Sequence, residues 1–267
     1  MRCLAWLTDL HLNFLTVEQI AVFFGTLNQH SADVLVISGD LTDSAQLQVT
    51  LKMLEHLVQK PVYFVCGNHD YYHSSIAQVR ESIPQWLASS PTLTWLSDQR
   101  VIELSPTTGL VGHDGWADGR YGNYHTSPLI LNDYVLIEEL HLPRSQDRFL
   151  KVNELGDQAA AHFHKVMPTA LEKYQQVIVV THVPPFAQAA LKDGEFSTDF
   201  ELPHYANRAA GEALIDLAKQ HPRKQITVLC GHTHSACDLQ ILPNLRVVVG
   251  HAEYRKPAIQ PLVLELG

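Results

Sequence analysis

The sequence predicts an α/β fold, and two of its features support that prediction. Through the first third of the chain, apolar runs of strand length alternate with segments that repeat apolar residues at helical spacing, an order that favours parallel strands joined by helices. Five of the strand-length runs also end directly in Asp, Asn or His. Because open α/β sheets bind ligands at the carboxyl ends of their strands, these endings predict a functional site along one edge of the sheet.

The five runs share one layout, a buried strand followed within a few residues by side chains that bind metals. They cover residues 4–7, 34–37, 61–66, 177–180 and 226–230. One such ending is ordinary turn chemistry, but five endings of metal-ligating types in a single chain indicate a common site. The polar residues that follow the runs are Asp9, His11, Asp40, Asp43, Asn68, His69, Asp70, His182, His232 and His234.

Helices and further strands are expected between and after these runs. Two prolines, Pro84 and Pro168, should kink or interrupt the helices that contain them. Strands between residues 93 and 112 look like an added sheet edge, and segment 184–205, which lacks a regular period, is a candidate lid over the site. No repeat or linker divides the sequence, so one domain is expected over residues 1–267. Helices are expected at 17–27, 44–58, 74–88, 153–174 and 206–220, and short strands at 93–96, 101–104, 109–112, 245–249 and 262–266.

Composition excludes several classes of protein. The chain of 267 residues is 46% apolar, yet its longest apolar stretches are far shorter than the ~20 residues that a membrane span needs. The first strand leads into Asp9, so a cleaved signal peptide would remove part of the site, and a cytoplasmic location is expected. The four cysteines lack Cys-x-x-Cys spacing, which fits a reducing compartment. A formal charge of −9 disfavours binding to a nucleic-acid duplex, because two polyanions repel each other.

The spacing and chemistry of the candidate ligands indicate a metal centre. Asp9 and His11 stand two apart at a strand end, so both side chains can face the same side, and His232 and His234 repeat this geometry. Two Asp, one Asn and four His are more ligands than one transition metal takes from a protein, but they suit two metals that share a bridging ligand. Oxygen and nitrogen donors without thiolate favour Mn, Fe, Zn or Ni over copper(I) or an iron–sulfur cluster.

The motifs, taken in order, resemble those of the calcineurin-like metallophosphoesterase superfamily. They are Asp-x-His, Gly-Asp-x-x-Asp, Gly-Asn-His-Asp, a strand-terminal His and Gly-His-x-His, and they span Asp9 to His234, most of the chain. The resemblance implies a four-layer α/β/β/α sandwich, with two central mixed sheets flanked by helices and two metals at one end of the sheets.

The resemblance also assigns the residues to roles. Asp40 is implied to bridge the two metals, and Asp43 is expected to be structural. His69 takes the position of the residue that assists the leaving group, and Asp70 that of its orienting partner. The ligands implied for the first metal are Asp9, His11, Asp40 and His234. Those implied for the second metal are Asp40, Asn68, His182 and His232.

The function implied is a dinuclear-metal-dependent phosphoester hydrolase that uses a metal-bridging hydroxide as nucleophile. A phosphatase acting on a small phosphorylated molecule is expected. Two alternatives stay open, a phosphodiesterase acting on cyclic nucleotides or another small diester, and a non-catalytic metal-binding scaffold. The sequence keeps every ligand and the acid, which argues against the scaffold.

Two further residues are candidates for contact with the substrate. Arg120 lies in the glycine-rich loop 112–122, and Arg is the side chain best shaped to hold phosphate oxygens in a bidentate grip. His251 follows the strand expected at 245–249 and is a candidate for the rim of the site.

Overall fold

The computed structural model of the chain describes residues 2–98 and 100–267, and two β-sheets packed face to face form its centre. The first sheet consists of β1 (Arg2–Leu7), β2 (Val34–Ser38), β3 (Val62–Val65), β4 (Leu93–Trp95) and β13 (Ile259–Leu266). Its order is β13-β1-β2-β3-β4, in which β1 to β4 are parallel and β13 pairs antiparallel with β1.

The second sheet has six strands in the order β11-β12-β10-β7-β6-β5. Its four central strands are parallel and its two outer strands are antiparallel to their neighbours, so both sheets are mixed. A separate hairpin is formed by β8 (Leu191–Lys192) and β9 (Glu195–Phe196). The strands of the second sheet are β5 (Ile102–Ser105), β6 (Thr108–Gly112), β7 (Gln176–Val180), β10 (Gln225–Cys230), β11 (Cys237–Leu242) and β12 (Leu245–Val249).

Helices cover the outer faces of both sheets. They are α1 (Val17–Gln29), α2 (Ser44–Leu57), α3 (Ile76–Leu87), α4 (Asp133–Leu136), α5 (Ser145–Lys173), α6 (Leu202–Tyr205) and α7 (Arg208–Gln220). Short 3-10 helices lie at Leu12–Phe14, His69–Tyr71, Tyr124–Thr126, Glu138–Leu140 and Ala187–Ala189. Helices α1 to α3 pack on the first sheet, and α5 and α7 pack on the second. Across the described residues, no helix has both the length and the apolar character to cross a lipid bilayer.

The predicted four-layer architecture is confirmed, and the alternation of side chains along the strands explains it. In β1, Leu4 and Trp6 belong to the core between the two sheets, whereas Ala5 and Leu7 belong to the core beneath the helices. Successive side chains of a strand point to opposite faces, so a strand buried on both faces must be apolar throughout. This is why the strands appear in the sequence as unbroken apolar runs.

Two local predictions were wrong. The strands between 93 and 112 do not form one added edge, because β4 ends the first sheet, β5 ends the second, and β6 lies inside the second sheet beside β7. Helix α5 begins earlier than predicted and continues through Pro168. Proline removes one backbone hydrogen bond, but Phe163, Met167 and Leu171 around it are fully buried against the second sheet. Packing of this apolar face therefore outweighs the local preference for a break.

One buried carboxylate joins the two sheets near the carboxyl ends of their strands. Asp114 follows β6 of the second sheet and is fully buried. Burial would raise the pKa of Asp114, but Arg80, whose Nε lies 3.5 Å away, and the hydrogen bonds hold that pKa below its usual range. Most of its partners belong to the first sheet or the segments that follow its strands. The Asp114 oxygens accept hydrogen bonds from the Cys66 backbone N–H (2.8 Å), Trp95 Nε1 (2.9 Å), Ser97 Oγ (2.8 Å) and Tyr71 Oη (2.6 Å).

We expect Asp114→Ala to lower the free energy of unfolding by about 3 kcal/mol, because it leaves buried donors without their acceptor and removes the carboxylate that faces Arg80. The surface pair of Asp98 and Arg100, at 2.7 Å, supplies the control, since Asp98→Ala should cost less than about 1 kcal/mol. Urea titration followed by circular dichroism measures both. The lowered pKa of Asp114 means that its contribution is present at neutral pH and declines as the pH falls below about 4. Equal losses in the two variants would contradict the role given to Asp114.

Candidate metal centre

The residues predicted as metal ligands lie together, at the carboxyl ends of parallel strands from both sheets. Strands β1, β2 and β3 of the first sheet and β7 and β10 of the second deliver them. Because the sheets pack face to face with these ends adjacent, ligands far apart in sequence meet at one edge of the sandwich. The side chains brought together are Asp9, His11, Asp40, Asn68, His182, His232 and His234.

One group of donor atoms belongs to Asp9, His11, Asp40 and His234, and all four atoms lie within 4.8 Å of one another. Asp9 Oδ1 is 3.4 Å from His234 Nε2, and His11 Nε2 is 3.7 Å from Asp40 Oδ2. The ring nitrogens of the two histidines face each other at 3.0 Å. This group is the set that the family resemblance implies for the first metal.

A second group adjoins the first and contains Asn68, His182 and His232. Asn68 Oδ1 lies 3.0 Å from His182 Nε2 and 3.1 Å from His232 Nδ1. His182 Nε2 is in turn 3.4 Å from Asp40 Oδ1. Asp40 therefore turns one oxygen toward each group, which is the position that a bridging ligand requires.

The backbone at these positions is held in an uncommon conformation. Five of the predicted ligands have a positive φ: Asp9 (49°), His11 (44°), Asp40 (54°), His232 (72°) and His234 (57°). Left-handed conformations of residues other than glycine cost on the order of 1 kcal/mol each, and they persist where the surrounding structure enforces them. Backbone hydrogen bonds support two of them, from the Asp9 N–H to the carbonyl of residue 39 and from the His11 N–H to the Asp40 carbonyl, both at 3.0 Å.

Close approach of the strand ends requires glycine beside two of the ligands. Gly39, just before Asp40, has φ +97°, and a Cβ there would lie 2.6 Å from the His182 ring. A Cβ on Gly67, just before Asn68, would lie 2.1 Å from Asp40 Oδ1. Both glycines let the backbone run against a ligand side chain.

Hydrogen bonds to backbone carbonyls orient two of the imidazoles. His182 Nδ1 lies 2.9 Å from the Ser38 carbonyl, and His232 Nε2 lies 3.0 Å from the His204 carbonyl. Since a carbonyl only accepts, these two nitrogens carry protons, and His182 Nε2 and His232 Nδ1, which face Asn68 Oδ1, are the nitrogens that would bind a metal. Such carbonyl contacts commonly fix the tautomer of metal-binding histidines.

Asp133, in the short helix α4, orients the amide of Asn68, and the sequence analysis did not identify it. Asn68 Nδ2 donates to Asp133 Oδ1 at 2.9 Å and to Tyr72 Oη at 3.1 Å, while Tyr72 Oη donates to the same carboxylate oxygen at 2.8 Å. Asn68 Oδ1 is therefore left to face His182 and His232. Asp133 follows an irregular segment and belongs to no motif, so a single sequence gives no signal for it.

The charges and donor types of the site fit divalent transition metals. Asp9 and Asp40 are both only 2% exposed. Burial would raise the pKa of Asp9, but His234 holds it below its usual range, and His182 acts likewise on Asp40. Burial lowers the pKa of His11 to about 4. Burial would also lower the pKa of His182, but Asp40 raises it to about 10, so metal binding at His182 would have to displace a proton. Two buried carboxylates, one amide oxygen and four imidazoles match the ligand preferences of Mn, Fe, Zn or Ni.

His69 and Asp70 also lie at the site, in different surroundings. The His69 ring lies 4.5 Å from the His11 ring and 4.3 Å from the Tyr72 ring, with Nε2 at 3.9 Å from Asp40 Oδ2 and 17% of the side chain exposed. The described hydrogen bonds of the Asp70 carboxylate come from the backbone N–H groups of residues 41, 42 and 67. Asp70 thus joins the ends of β2 and β3, and its role as the orienting partner of His69 stays a prediction.

Asp43 caps helix α2 by accepting from the backbone N–H of residue 46 at 3.1 Å, which is a structural role.

The two predicted substrate contacts have different surroundings. The Arg120 guanidinium pairs with Asp118 at 3.1 Å and with Asp157 of α5 at 2.7 Å. His251 Nδ1 lies 2.9 Å from the His234 carbonyl, and its side chain is 61% exposed. His251 lines a cleft of about 590 Å³ together with His234 and the hairpin turn between β8 and β9. Contact of Arg120 or His251 with a substrate stays a prediction, as does the lid function of segment 184–205 that contains this hairpin.

Comparison with known proteins identifies relatives of this fold. The family profile of the calcineurin-like phosphoesterases matches residues 4–236, whereas no curated protein sequence matches the chain. The phosphopantetheinyl hydrolase of Mycobacterium tuberculosis is similar in structure, with a TM-score of 0.66 and 16% identity over 94% of this chain and 90% of that one. A dimetal phosphatase from Danio rerio gives a TM-score of 0.56 and 14% identity over 93% of this chain and 86% of that one. A protein from Thermus thermophilus gives a TM-score of 0.54 and 14% identity over 94% of this chain and 89% of that one.

We expect Asp40→Asn to lower the occupancy of both metal positions, because a neutral amide bridges two cations poorly. His11→Ala should affect mainly the first position. Elemental analysis of protein dialysed against a fixed free metal concentration measures both, and Asp43→Asn, which alters a carboxylate of the same motif without touching the site, is the control. Two tightly bound ions in the Asp40→Asn protein would contradict the bridging role.

Asp133→Ala should weaken metal binding at the second position by about 10- to 100-fold, as removal of groups that orient metal ligands commonly does. The metal affinity of the first position should change little, since its four donors do not contact Asp133. Asp133→Asn keeps a side-chain oxygen that can accept from Asn68 Nδ2, so this variant should lose less metal affinity at the second position. Calorimetric titration with Mn²⁺ resolves the two positions, and equal weakening of both would remove Asp133 from this specific role.

Proposed function

We propose that this chain, which belongs to the calcineurin-like phosphoesterase family, is a phosphatase that depends on two divalent metal ions. The observation that supports two ions rather than one is the placement of Asp40. Its Oδ2 lies 3.7 Å from His11 in the first ligand group, and its Oδ1 lies 3.4 Å from His182 in the second. A single ion would leave one of these buried groups without a cation.

The residues that would hold the ions are the two ligand groups defined above. The chemistry supplied by two divalent ions at these positions is activation of a water molecule and neutralisation of the phosphate charge. That neutralisation matters in a protein of net charge −9, which otherwise repels anionic substrates. The orienting carbonyls and Asp133 keep the donor atoms in place before the substrate arrives, so little rearrangement is needed during the reaction.

His69 is suited to protonate the leaving group. Its imidazole is partly exposed, touches the ring of His11 and approaches Asp40 Oδ2 at 3.9 Å, so a phosphate ester held by the two ligand groups lies within its reach. Its own backbone N–H donates to Asp40 Oδ1 at 2.9 Å, which fixes the start of the loop. A proton delivered to the departing oxygen is worth roughly 10²–10⁴ in rate.

The similar solved structures agree with hydrolysis of phosphate-linked groups. One is a dimetal phosphatase and another a phosphopantetheinyl hydrolase, and at 14–16% identity they support a common fold. We extend this chemistry to the present chain, with a small phosphorylated molecule as substrate, since the cleft beside His234 has the volume of a small-molecule site. The four free cysteines suit action in the cytoplasm.

A panel of esters tests the proposal. Protein loaded in turn with Mn, Fe, Zn or Ni is assayed on p-nitrophenyl phosphate, glycerol 2-phosphate, bis(p-nitrophenyl) phosphate and cyclic AMP, with Asp40→Asn as control. Monoesters should be hydrolysed faster than diesters, and the variant should be inactive. Faster hydrolysis of diesters would indicate a phosphodiesterase. Protein that holds two metals and hydrolyses none of the esters would be a binding scaffold.

We expect His69→Ala to retain both metals and to lose about 10²–10⁴ in kcat for glycerol 2-phosphate. The loss should be much smaller for p-nitrophenyl phosphate, because nitrophenolate leaves without being protonated. His164→Ala, a change at an exposed histidine of α5, should leave both rates unaltered. An equal loss on both esters would exclude His69 as the acid.

A further inference from the structure

Two exposed aromatic side chains stand beside the first ligand group. The Tyr254 ring lies 4.6 Å from the His11 ring and 5.1 Å from the His234 ring, and the Phe14 ring lies 5.2 Å from Tyr254. Tyr254 is 50% exposed and Phe14 is 44% exposed. The residues around them in space include two predicted metal ligands, so this apolar surface belongs to the mouth of the site.

Two clefts adjoin the segments that carry this aromatic pair. Tyr254 itself lines the cleft of about 590 Å³ beside His234. Leu15 and Arg255, the residues that follow Phe14 and Tyr254 in the chain, line a second cleft of about 450 Å³. Its walls are mainly apolar, with charged groups only at Glu18 and Arg255. The cleft is lined by Leu15, Glu18, Gln19, Val22, Phe23, Thr26, Arg255 and Pro257.

The aromatic pair also lies close to the proposed proton donor. The His11 ring touches Tyr254 at 4.6 Å and His69 at 4.5 Å, so both adjoin the same imidazole. The group that His69 protonates is the leaving alcohol, and this alcohol carries the organic part of the ester. That organic part is therefore within reach of Tyr254 and Phe14.

We propose that Tyr254 and Phe14 bind the organic group of the substrate, and that this group is apolar and at least as large as an aromatic ring. The inference rests on the proposed function, because it places the ester phosphate at the two ligand groups. An apolar ligand gains the most binding free energy from exposed aromatic and aliphatic surface, because binding removes that surface from water and allows contact between rings. A sugar or another strongly polar alcohol would leave the pair in contact with water.

A small molecule fits this surface better than a second copy of the chain or a partner protein does. The surface is continuous with the predicted ligands His11 and His234, and the cleft has the volume of a small-molecule site. A macromolecule seated there would close the mouth that the phosphate must enter.

Binding of phosphonates, which are not hydrolysed, tests the inference without turnover. The metal-loaded protein is titrated calorimetrically with phenylphosphonate and with methylphosphonate, and metal content is checked in each sample. The phenyl compound should bind about tenfold more tightly to the wild type, because it adds a ring's worth of buried apolar surface. Tyr254→Ala and, separately, Phe14→Ala should reduce that preference to about twofold or less while leaving methylphosphonate unchanged. Ile130→Ala, at a 73% exposed apolar residue elsewhere on the surface, should keep the full preference.

Several results would overturn the inference. Equal affinity of the wild type for the two phosphonates would contradict it. So would a loss of affinity in Tyr254→Ala that is the same for both compounds. A wild-type dimer in sedimentation that Tyr254→Ala dissociates would assign the surface to a second copy. Phenyl preference without hydrolysis of any ester would reject the proposed function alone, and hydrolysis without phenyl preference would reject this inference alone. Failure of both phosphonates to bind would contradict both.

Discussion

Asp40 places a carboxylate that is 2% exposed between His11 on one side and His182 on the other. A buried charge is costly unless it is paired and hydrogen-bonded, so the structure around Asp40 has to supply positive charge and donors from every direction. His182 supplies the charge that holds the pKa of Asp40 down against burial, the ring nitrogens of His11 and His69 lie within 4 Å, and the backbone N–H of residue 69 donates to Oδ1. Asp40 follows β2 of the first sheet, while His182 follows β7 of the second. Each ligand group draws residues from both sheets, so the packing of the two sheets sets the distances within both groups.

This arrangement concentrates unfavourable backbone geometry at the site and requires a stable scaffold beneath it. Five of the predicted ligands have left-handed conformations, which cost on the order of 1 kcal/mol each. The apolar core between the sheets and the buried carboxylate of Asp114, which joins both sheets directly below the site, oppose this cost. Hydrogen bonds from Asn68 to Asp133 and from His182 and His232 to backbone carbonyls fix the orientation of these predicted ligands, and fixed polar groups are the condition for efficient electrostatic stabilisation of a reaction.

The sequence was sufficient to predict the parts of the protein that depend on local pattern. Apolar runs identified the strands, and polar residues at their ends identified the seven candidate ligands, because strand ends and side-chain chemistry are both properties of short segments. Pairing between strands is not local. The position of β6 inside the second sheet depends on contacts with β7, which begins 64 residues after Gly112 ends β6, and no short pattern records that partner.

Residues that act across the chain were missed for the same reason. Asp133 reaches Asn68 from the short helix α4, and Asp114 reaches β4 and the segment that follows β3 of the other sheet. Tyr254 lies in a loop without a motif and becomes notable only beside His11. Arg120, in contrast, was chosen for its side-chain chemistry, and the structure shows two carboxylates already bound to its guanidinium. Sequence reasoning finds donors readily but cannot tell which of them already have partners.

The proposed two-ion centre around Asp40 is tested most directly by anomalous diffraction from crystals soaked in Mn²⁺, recorded where manganese scatters anomalously. The proposal predicts two peaks about 3.5–4 Å apart, the separation typical of two-metal sites, with the Asp40 carboxylate between them. One peak should adjoin Asp9, His11 and His234, and the other should adjoin Asn68, His182 and His232. A single peak, or two peaks that do not share Asp40, would contradict the bridged centre.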